Sequence, residues 1–181
     1  MNYYIADMHL GHTNIIRLCN RPFNDVNEMN ETLISNWNSR VTDEDTVYVI
    51  GDFAYKSAED PVKILKQLKG RKVLIEGNHD KGNLKNSAFR AEFDEIRSMK
   101  SIIDNDRRIV LCHYPIVEWD GYFKGAYLVY GHIHNNIKNR AYKVMKDEKL
   151  ALNAGVEITG YMPVTFDELV KCNITFNELN F

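Results

Sequence analysis

Apolar positions along this chain change rhythm from segment to segment. Short runs rich in β-branched and aromatic residues, Tyr3-Tyr4-Ile5-Ala6, Thr46-Val47-Tyr48-Val49-Ile50 and Lys72-Val73-Leu74-Ile75, read as buried strands. Between the first two, Val26, Met29, Leu33, Ile34 and Trp37 recur at steps of three and four. That period predicts an amphipathic helix over 25–41, and Asp25 followed by Glu28 fits a start signal of the capping-box type. A second helix is expected from Ser57 through Ile64, Leu65 and Leu68, with lysines near its end and Gly70 as its stop. The order strand, helix, strand, helix, strand predicts a parallel α/β core.

Past residue 90 the spacing shortens. Residues 96–103 and 108–112 are expected to pair as a hairpin around Asp104-Asn105-Asp106, and 127–130 forms a further strand. Residues 142–145 and 150–153 flank a turn at Lys146-Asp147-Glu148-Lys149. The expected architecture is α/β, a mixed sheet or two sheets with helices outside. No repeat, low-complexity stretch or Pro/Gly/Ser linker divides the chain, so 1–181 is read as one domain.

Composition narrows the function classes. A net charge of -2 and a pI of about 6.3 predict no broad basic footprint, so nucleic acid is a less favoured partner and an anionic membrane is not expected. Cys19, Cys112 and Cys172 are widely spaced and odd in number, forming neither a zinc-ligand pair nor a disulfide framework. With no signal-peptide pattern at Met1-Asn2-Tyr3-Tyr4 and no long apolar run, a cytoplasmic location is expected.

Five of the six histidines fall in or between short motifs that follow the expected strands: Asp7-Met8-His9, Gly51-Asp52, Gly77-Asn78-His79-Asp80, His113 and Gly131-His132-Ile133-His134. Taken singly, each motif is an ordinary strand exit or turn. Together they are informative, because the crevice outside the carboxyl ends of strands is where α/β folds bind ligands. Asp7 and His9, like His132 and His134, alternate across one residue and can point to the same side. Asp52 has two oxygens and can bridge two cations, Asn78 offers an amide oxygen, and the histidines offer imidazole nitrogens. A donor set without thiolate points to a borderline divalent metal. Two such ions are expected, manganese first, with iron, nickel, cobalt or zinc as alternatives.

This ordered series resembles the calcineurin-like metallophosphoesterase superfamily. The likeness runs from Tyr3 to about Val170, and His9-Leu10-Gly11-His12-Thr13-Asn14-Ile15-Ile16 with Arg21-Pro22-Phe23 is similar to one compact subgroup of small bacterial and phage members. The segments Asn153-Ala154-Gly155-Val156-Glu157 and Tyr161-Met162-Pro163-Val164 look like its closing portion. The resemblance implies two mixed β-sheets packed as a sandwich with helices on both sides, in four layers. It implies that Asp7, His9, Asp52 and His134 hold one metal and that Asp52, Asn78, His113 and His132 hold the other, with Asp52 as the bridge. Water activated between two cations would attack phosphorus in line. His79 would stabilise the transition state or protonate the leaving oxygen, and Asp80 would orient His79.

Substrate contacts are expected from His12, Arg17, Arg21 and Tyr55, which lie close in sequence to the ligand motifs. The aromatic segment Trp119, Tyr122 and Phe123 is either a stacking platform or a local hydrophobic cluster. After Gly51-Asp52 the chain continues Phe53-Ala54-Tyr55-Lys56, unlike the Val-Asp-Arg of the protein serine/threonine phosphatases. The expected activity is therefore hydrolysis of a phosphomonoester or phosphodiester of a small molecule or nucleotide. Nuclease-like cleavage of nucleic-acid ends and a non-catalytic scaffold are the alternatives.

Overall fold

A computed structural model describes residues 1–55 and 60–179. Strands β1 (Asn2–Ile5), β2 (Thr46–Val49), β3 (Arg71–Ile75) and β4 (Glu95–Arg97) form one sheet in that order, every pair parallel. Strands β5 (Met99–Asp104), β6 (Arg107–Cys112), β7 (Tyr127–Tyr130) and β8 (Ala151–Asn153) form the second. In it β5 and β6 are antiparallel and the later pairs parallel. The helices are α1 (Thr13–Leu18), α2 (Val26–Arg40), α3 (Pro61–Leu65), α4 (Ser87–Ala91), α5 (Arg140–Met145), α6 (Val156–Thr159) and α7 (Phe166–Leu179).

The period of two decides the layers. Along β1 to β3, Tyr4, Tyr48, Val73 and Ile75 turn toward the second sheet and meet Ile109, Leu111, Val129 and Leu152 in one apolar cluster. Their sequence neighbours Tyr3, Ile5, Val47, Val49 and Leu74 face the other way and pack with Met29, Leu33 and Trp37 of α2 and Ile64 and Leu65 of α3. On the far side of the second sheet, Val110, Leu128 and Tyr130 pack with Tyr142 and Met145 of α5. The result is helices, sheet, sheet, helices, the four-layer sandwich that the family resemblance implies. No helix among the described residues is long and apolar enough to cross a membrane.

Local chemistry explains most element boundaries. The Asp25 side chain caps α2 by accepting from the N–H groups of Asn27 and Glu28 at 2.8 and 2.9 Å. Glu28 completes the box one residue early, accepting from the Asn24 N–H at 2.7 Å. Asn105 and Asp106, with φ of 47° and 64°, make the tight turn that matches the twist of the β5–β6 hairpin.

Three expectations need correction. The proposed helix start at Ser57 lies outside the described residues, and α3 begins at Pro61 under an Asp60 cap and ends at Leu65, short of Leu68. Residues 96–103 are not one strand. Ile96 belongs to β4 in the first sheet, and the chain crosses to the second sheet before β5, because Ile96 finds its apolar partners on the helix-covered side. Residues 142–145 are helical: Asn139 caps Ala141, and Tyr142 with Met145, one turn apart, bury together.

One join positions the site. After β8 the chain passes alongside β1, with the Ala6 N–H donating to Ala154 at 2.7 Å and the Val156 N–H to Ala6 at 3.1 Å. Residues 153–157 are thereby held beside Asp7.

Candidate metal centre

Asp7, Asp52, Asn78, His113 and His132 all lie just past the carboxyl ends of β1, β2, β3, β6 and β7, and the two sheets bring them to one edge. Ligand atoms of Asp7, His9 and His134 lie within 4.8 Å of one another, as do those of Asp52, His113 and His132. Asp52 stands between the two groups: its Oδ2 is 3.5 Å from His9 Nε2 and 3.6 Å from His113 Nε2. Asn78 Oδ1 lies 3.1 Å from His113 Nε2.

The backbone is bent to allow this. Among described residues, five of the nine non-glycine residues with positive φ are Asp7, His9, Asp52, His132 and His134, at 57°, 51°, 55°, 71° and 51°. Each such left-handed residue costs of order 1 kcal/mol, and concentrations of them mark sites where the surrounding structure holds a functional geometry. Two glycines make the close approaches possible. A Cβ on Gly77 would overlap the Asp52 carboxylate, and one on Gly51, at φ 82°, would overlap the His113 ring.

The polar atoms left over indicate what the site can hold. His113 Nδ1 lies 2.9 Å from the Ile50 carbonyl, which can only accept, so Nδ1 carries the proton and Nε2 presents a lone pair. That lone pair faces the Asn78 and Asp52 oxygens, three acceptors with no donor between them. Both nitrogens of the His9 ring are buried without a hydrogen-bond partner. Converging acceptors of this kind fit divalent cations.

Burial and neighbouring charge shift the titrating groups. Burial pushes the Asp7 carboxyl up to about 6, against the pull of His134 and His113. His134 is pushed up to about 11: burial opposes its charge, and Cys19, Glu157 and Asp7 outweigh burial. Burial lowers His9, His12 and His132, keeping those rings neutral.

His79 follows β3 and lines the cleft. Its backbone N–H donates to Asp52 Oδ1 at 2.8 Å. Its ring packs edge-on against His9 and Tyr55 at centroid distances of 5.0 and 5.3 Å. A nitrogen of this ring also comes within 4.8 Å of ligand atoms of His9 and Asp52. Asp80 does not orient the ring. It is fully buried, and its carboxylate accepts from the backbone N–H groups of Asp52, Phe53 and Gly77 at 2.8, 3.0 and 2.8 Å. It ties the loop after β2 to the loop after β3.

His12 stacks on Tyr55 with centroids 4.0 Å apart, and its Nδ1 is buried without a partner. Arg21 is no substrate contact: it is 4% exposed and its guanidinium is spent on protein oxygens behind the site. Arg17 is exposed on α1 and is not among the cleft-lining residues. Trp119 and Tyr122 form a local cluster under the second sheet, with Trp119 Nε1 donating to the Ala126 carbonyl at 2.8 Å. Phe123 alone of that segment is largely exposed, and none of the three lines the cleft.

The sequence reading missed three neighbours of the site. Tyr114 packs its ring on His113 and His132 at 5.1 and 4.8 Å. Glu157 lies 3.1 Å from His134 Nδ1, and Cys19 borders both. An acid in the first turn of a short helix reads as ordinary dipole compensation, so nothing local distinguishes Glu157. Only the adjacency of Tyr114 to His113 was visible.

A sequence model described as calcineurin-like phosphoesterase matches residues 3–154. The chain belongs to that family. Its chemistry is hydrolysis of phosphate esters, and the histidine and aspartate clusters are where the divalent metals on which such enzymes depend can bind. An uncharacterised protein of Methanocaldococcus jannaschii is 37% identical over 171 residues, spanning 93% of this chain and 89% of that relative. Gene 66 protein of Mycobacterium phage L5 is 27% identical over 160 residues, spanning 74% and 77%. A crystal structure of a protein of unknown function from Aquifex aeolicus superposes with a TM-score of 0.74 at 32% identity, covering 94% of this chain and 98% of that one.

Proposed function

We propose that this phosphoesterase works with two divalent cations, manganese first among them, and hydrolyses a phosphomonoester or phosphodiester of a small molecule or nucleotide. The observation that carries the reading is the Asp52 carboxylate, set 3.5 and 3.6 Å from the inner nitrogens of two separate ligand groups. Asp7, His9 and His134 would hold one ion, Asn78, His113 and His132 the other, and Asp52 both. Bound there, two cations would activate water and neutralise the phosphoryl oxygens.

The chain's own groups do the rest. His79, tethered through its N–H to Asp52, would give a proton to the leaving oxygen from the cleft side. His12, neutral and stacked on Tyr55, would donate an N–H to a phosphoryl oxygen. The cleft of about 640 Å³ continues past the histidines between Leu18 and Ile137, and among the described residues its lining includes Asn20 and Lys138 but no carboxylate. An anionic, partly apolar ester of nucleotide size fits that space and charge.

Hydrolysis of p-nitrophenyl phosphate and bis-p-nitrophenyl phosphate in manganese tests the reading. The His79→Ala protein is expected to lose about 10²-fold in kcat while still binding two manganese ions, since general-acid groups contribute at least this much. Loss of an ion instead would make His79 a ligand. Cleavage of single-stranded oligonucleotides in preference to both esters would favour a nuclease.

The titration of the ligands predicts a pH signature. Metal-free His134 holds its proton up to about 11 and Asp7 up to about 6, so binding displaces one proton above pH 6 and two below it. Manganese affinity at the site they share is expected to rise about a hundredfold per pH unit below 6 and about tenfold per unit above it. Calorimetric titrations across this range check the slopes, and a flat line between neutral and mildly alkaline pH would remove His134 from the ligand set.

A further inference from the structure

Behind the Asp7 side of the centre lies an ion pair that the reaction as described does not use. The side chains of Arg21 and Glu157 are 0% and 2% exposed, with Arg21 Nη2 2.7 Å from Glu157 Oε1. Arg21 Nε donates to the same oxygen at 2.9 Å. The guanidinium also donates to two backbone carbonyls, through Nη1 to Met8 at 2.8 Å and through Nη2 to Asp7 at 2.7 Å. Those two carbonyls flank the left-handed turn that carries Asp7 and His9. Glu157 Oε1 in turn lies 3.1 Å from His134 Nδ1. The His134 carbonyl is held separately, by Asn153 Nδ2 at 2.9 Å.

Burying a guanidinium and a carboxylate is costly, and a pair of this kind often adds nothing to stability over apolar residues of the same size. Its geometry here is directed at ligands. A carboxylate on one imidazole nitrogen sets the ring's orientation and tautomer and presents the other nitrogen to a metal. Arg21 supplies what a lysine could not, a planar fork reaching two carbonyls and a carboxylate at once. Both ends of the pair therefore act on the three residues, Asp7, His9 and His134, that surround one cation position and not the other.

We propose that Arg21 and Glu157 are positioning residues for one half of the centre: Glu157 fixes His134 through Nδ1 and leaves Nε2 for the cation, while Arg21 pins the Asp7–Met8 turn. This rests on the two-cation reading above. The pair explains why an arginine next to a metal site is tolerated, since Glu157 balances its charge and its guanidinium is turned onto protein acceptors, the Glu157 carboxylate, the Asp7 and Met8 carbonyls and the Met29 sulfur.

The test is manganese binding to metal-stripped protein, by calorimetry with metal counting, on the parent, Glu157→Gln, His134→Ala and the double variant. Glu157→Gln is expected to weaken one of the two ions 10- to 100-fold, the range seen when a partner behind a ligand is lost, and to leave the other within about threefold. In the His134→Ala background the same substitution should add less than about threefold, because Glu157 acts through that ring. A purely structural pair would lower the melting temperature without this selectivity. The proposal is overturned if Glu157→Gln binds both ions as the parent does, if both weaken alike, or if its effect is undiminished without His134. Should the glutamine protein not fold, Glu157→Asp keeps the charge for Arg21 but draws the oxygen back from Nδ1, and the same selective loss is required of it. A parent that binds fewer than two manganese ions brings down the two-cation reading and this inference with it, whereas two ions bound as tightly by the variant as by the parent remove only the inference.

Discussion

The Asp52→Ala protein is expected to turn over p-nitrophenyl esters at least about 10⁴-fold more slowly than its parent, a loss of about 5.5 kcal/mol of transition-state stabilisation. No other side chain in the site has as many duties. Its Oδ2 faces both His9 and His113, and its Oδ1 accepts the backbone N–H of His79. Alanine would therefore remove a ligand from each cation and release the loop that carries the expected acid. Manganese stoichiometry should fall below two. The fold should survive, because the Asp52 N–H is held by Asp80 and does not depend on the Asp52 side chain. Circular dichroism with metal counting separates these effects. More than about one-hundredth of parental kcat/KM, a loss under 3 kcal/mol, would count against a bridging role.

Asp80→Ala should fail differently, by unfolding. Its carboxylate serves three backbone N–H groups in a fully buried place. Truncation leaves those donors unpaired at about 1–3 kcal/mol each before relaxation. A net loss of about 3–5 kcal/mol is expected in urea denaturation. Burial and the nearby Asp52 charge raise the Asp80 pKa, and the three N–H groups oppose that rise. His79→Ala, which removes a cleft-facing ring, should change stability by no more than about 0.5 kcal/mol. If Asp80→Ala instead left stability intact and moved only the pH profile of hydrolysis, the carboxylate would have to be returned to the role of orienting His79.

Much of the architecture was legible because it follows from periods. The three- and four-residue steps of Val26 to Trp37 became α2 within one residue at each end, and the β-branched runs became β1 to β3. Legibility ended where one residue can satisfy two patterns. Ile96 suits a strand in either sheet, and Tyr142 with Met145 suits a strand or a helical turn. Long-range packing against α4 or α7 decides such cases, and no local window contains it.

The candidate site divides along the same line. Residue types and order alone identified Asp7, His9, Asp52, Asn78, His113, His132 and His134 as one constellation, because strand exits in an α/β sheet share an edge whatever the loops do. Residues that act from behind were misread or missed. Arg21 was expected to contact substrate and Asp80 to orient its neighbour, and Glu157 was given no role. Their roles depend on where a side chain points and which carbonyl or N–H it meets, and those meetings join positions as far apart as Arg21 and Glu157. What the sequence by itself determined was which chemistry is present and at which edge of the sheets. Only the tertiary structure decided which groups converge at that edge and which brace them from behind, because orientation and burial arise from contacts between segments that the linear order does not bring together.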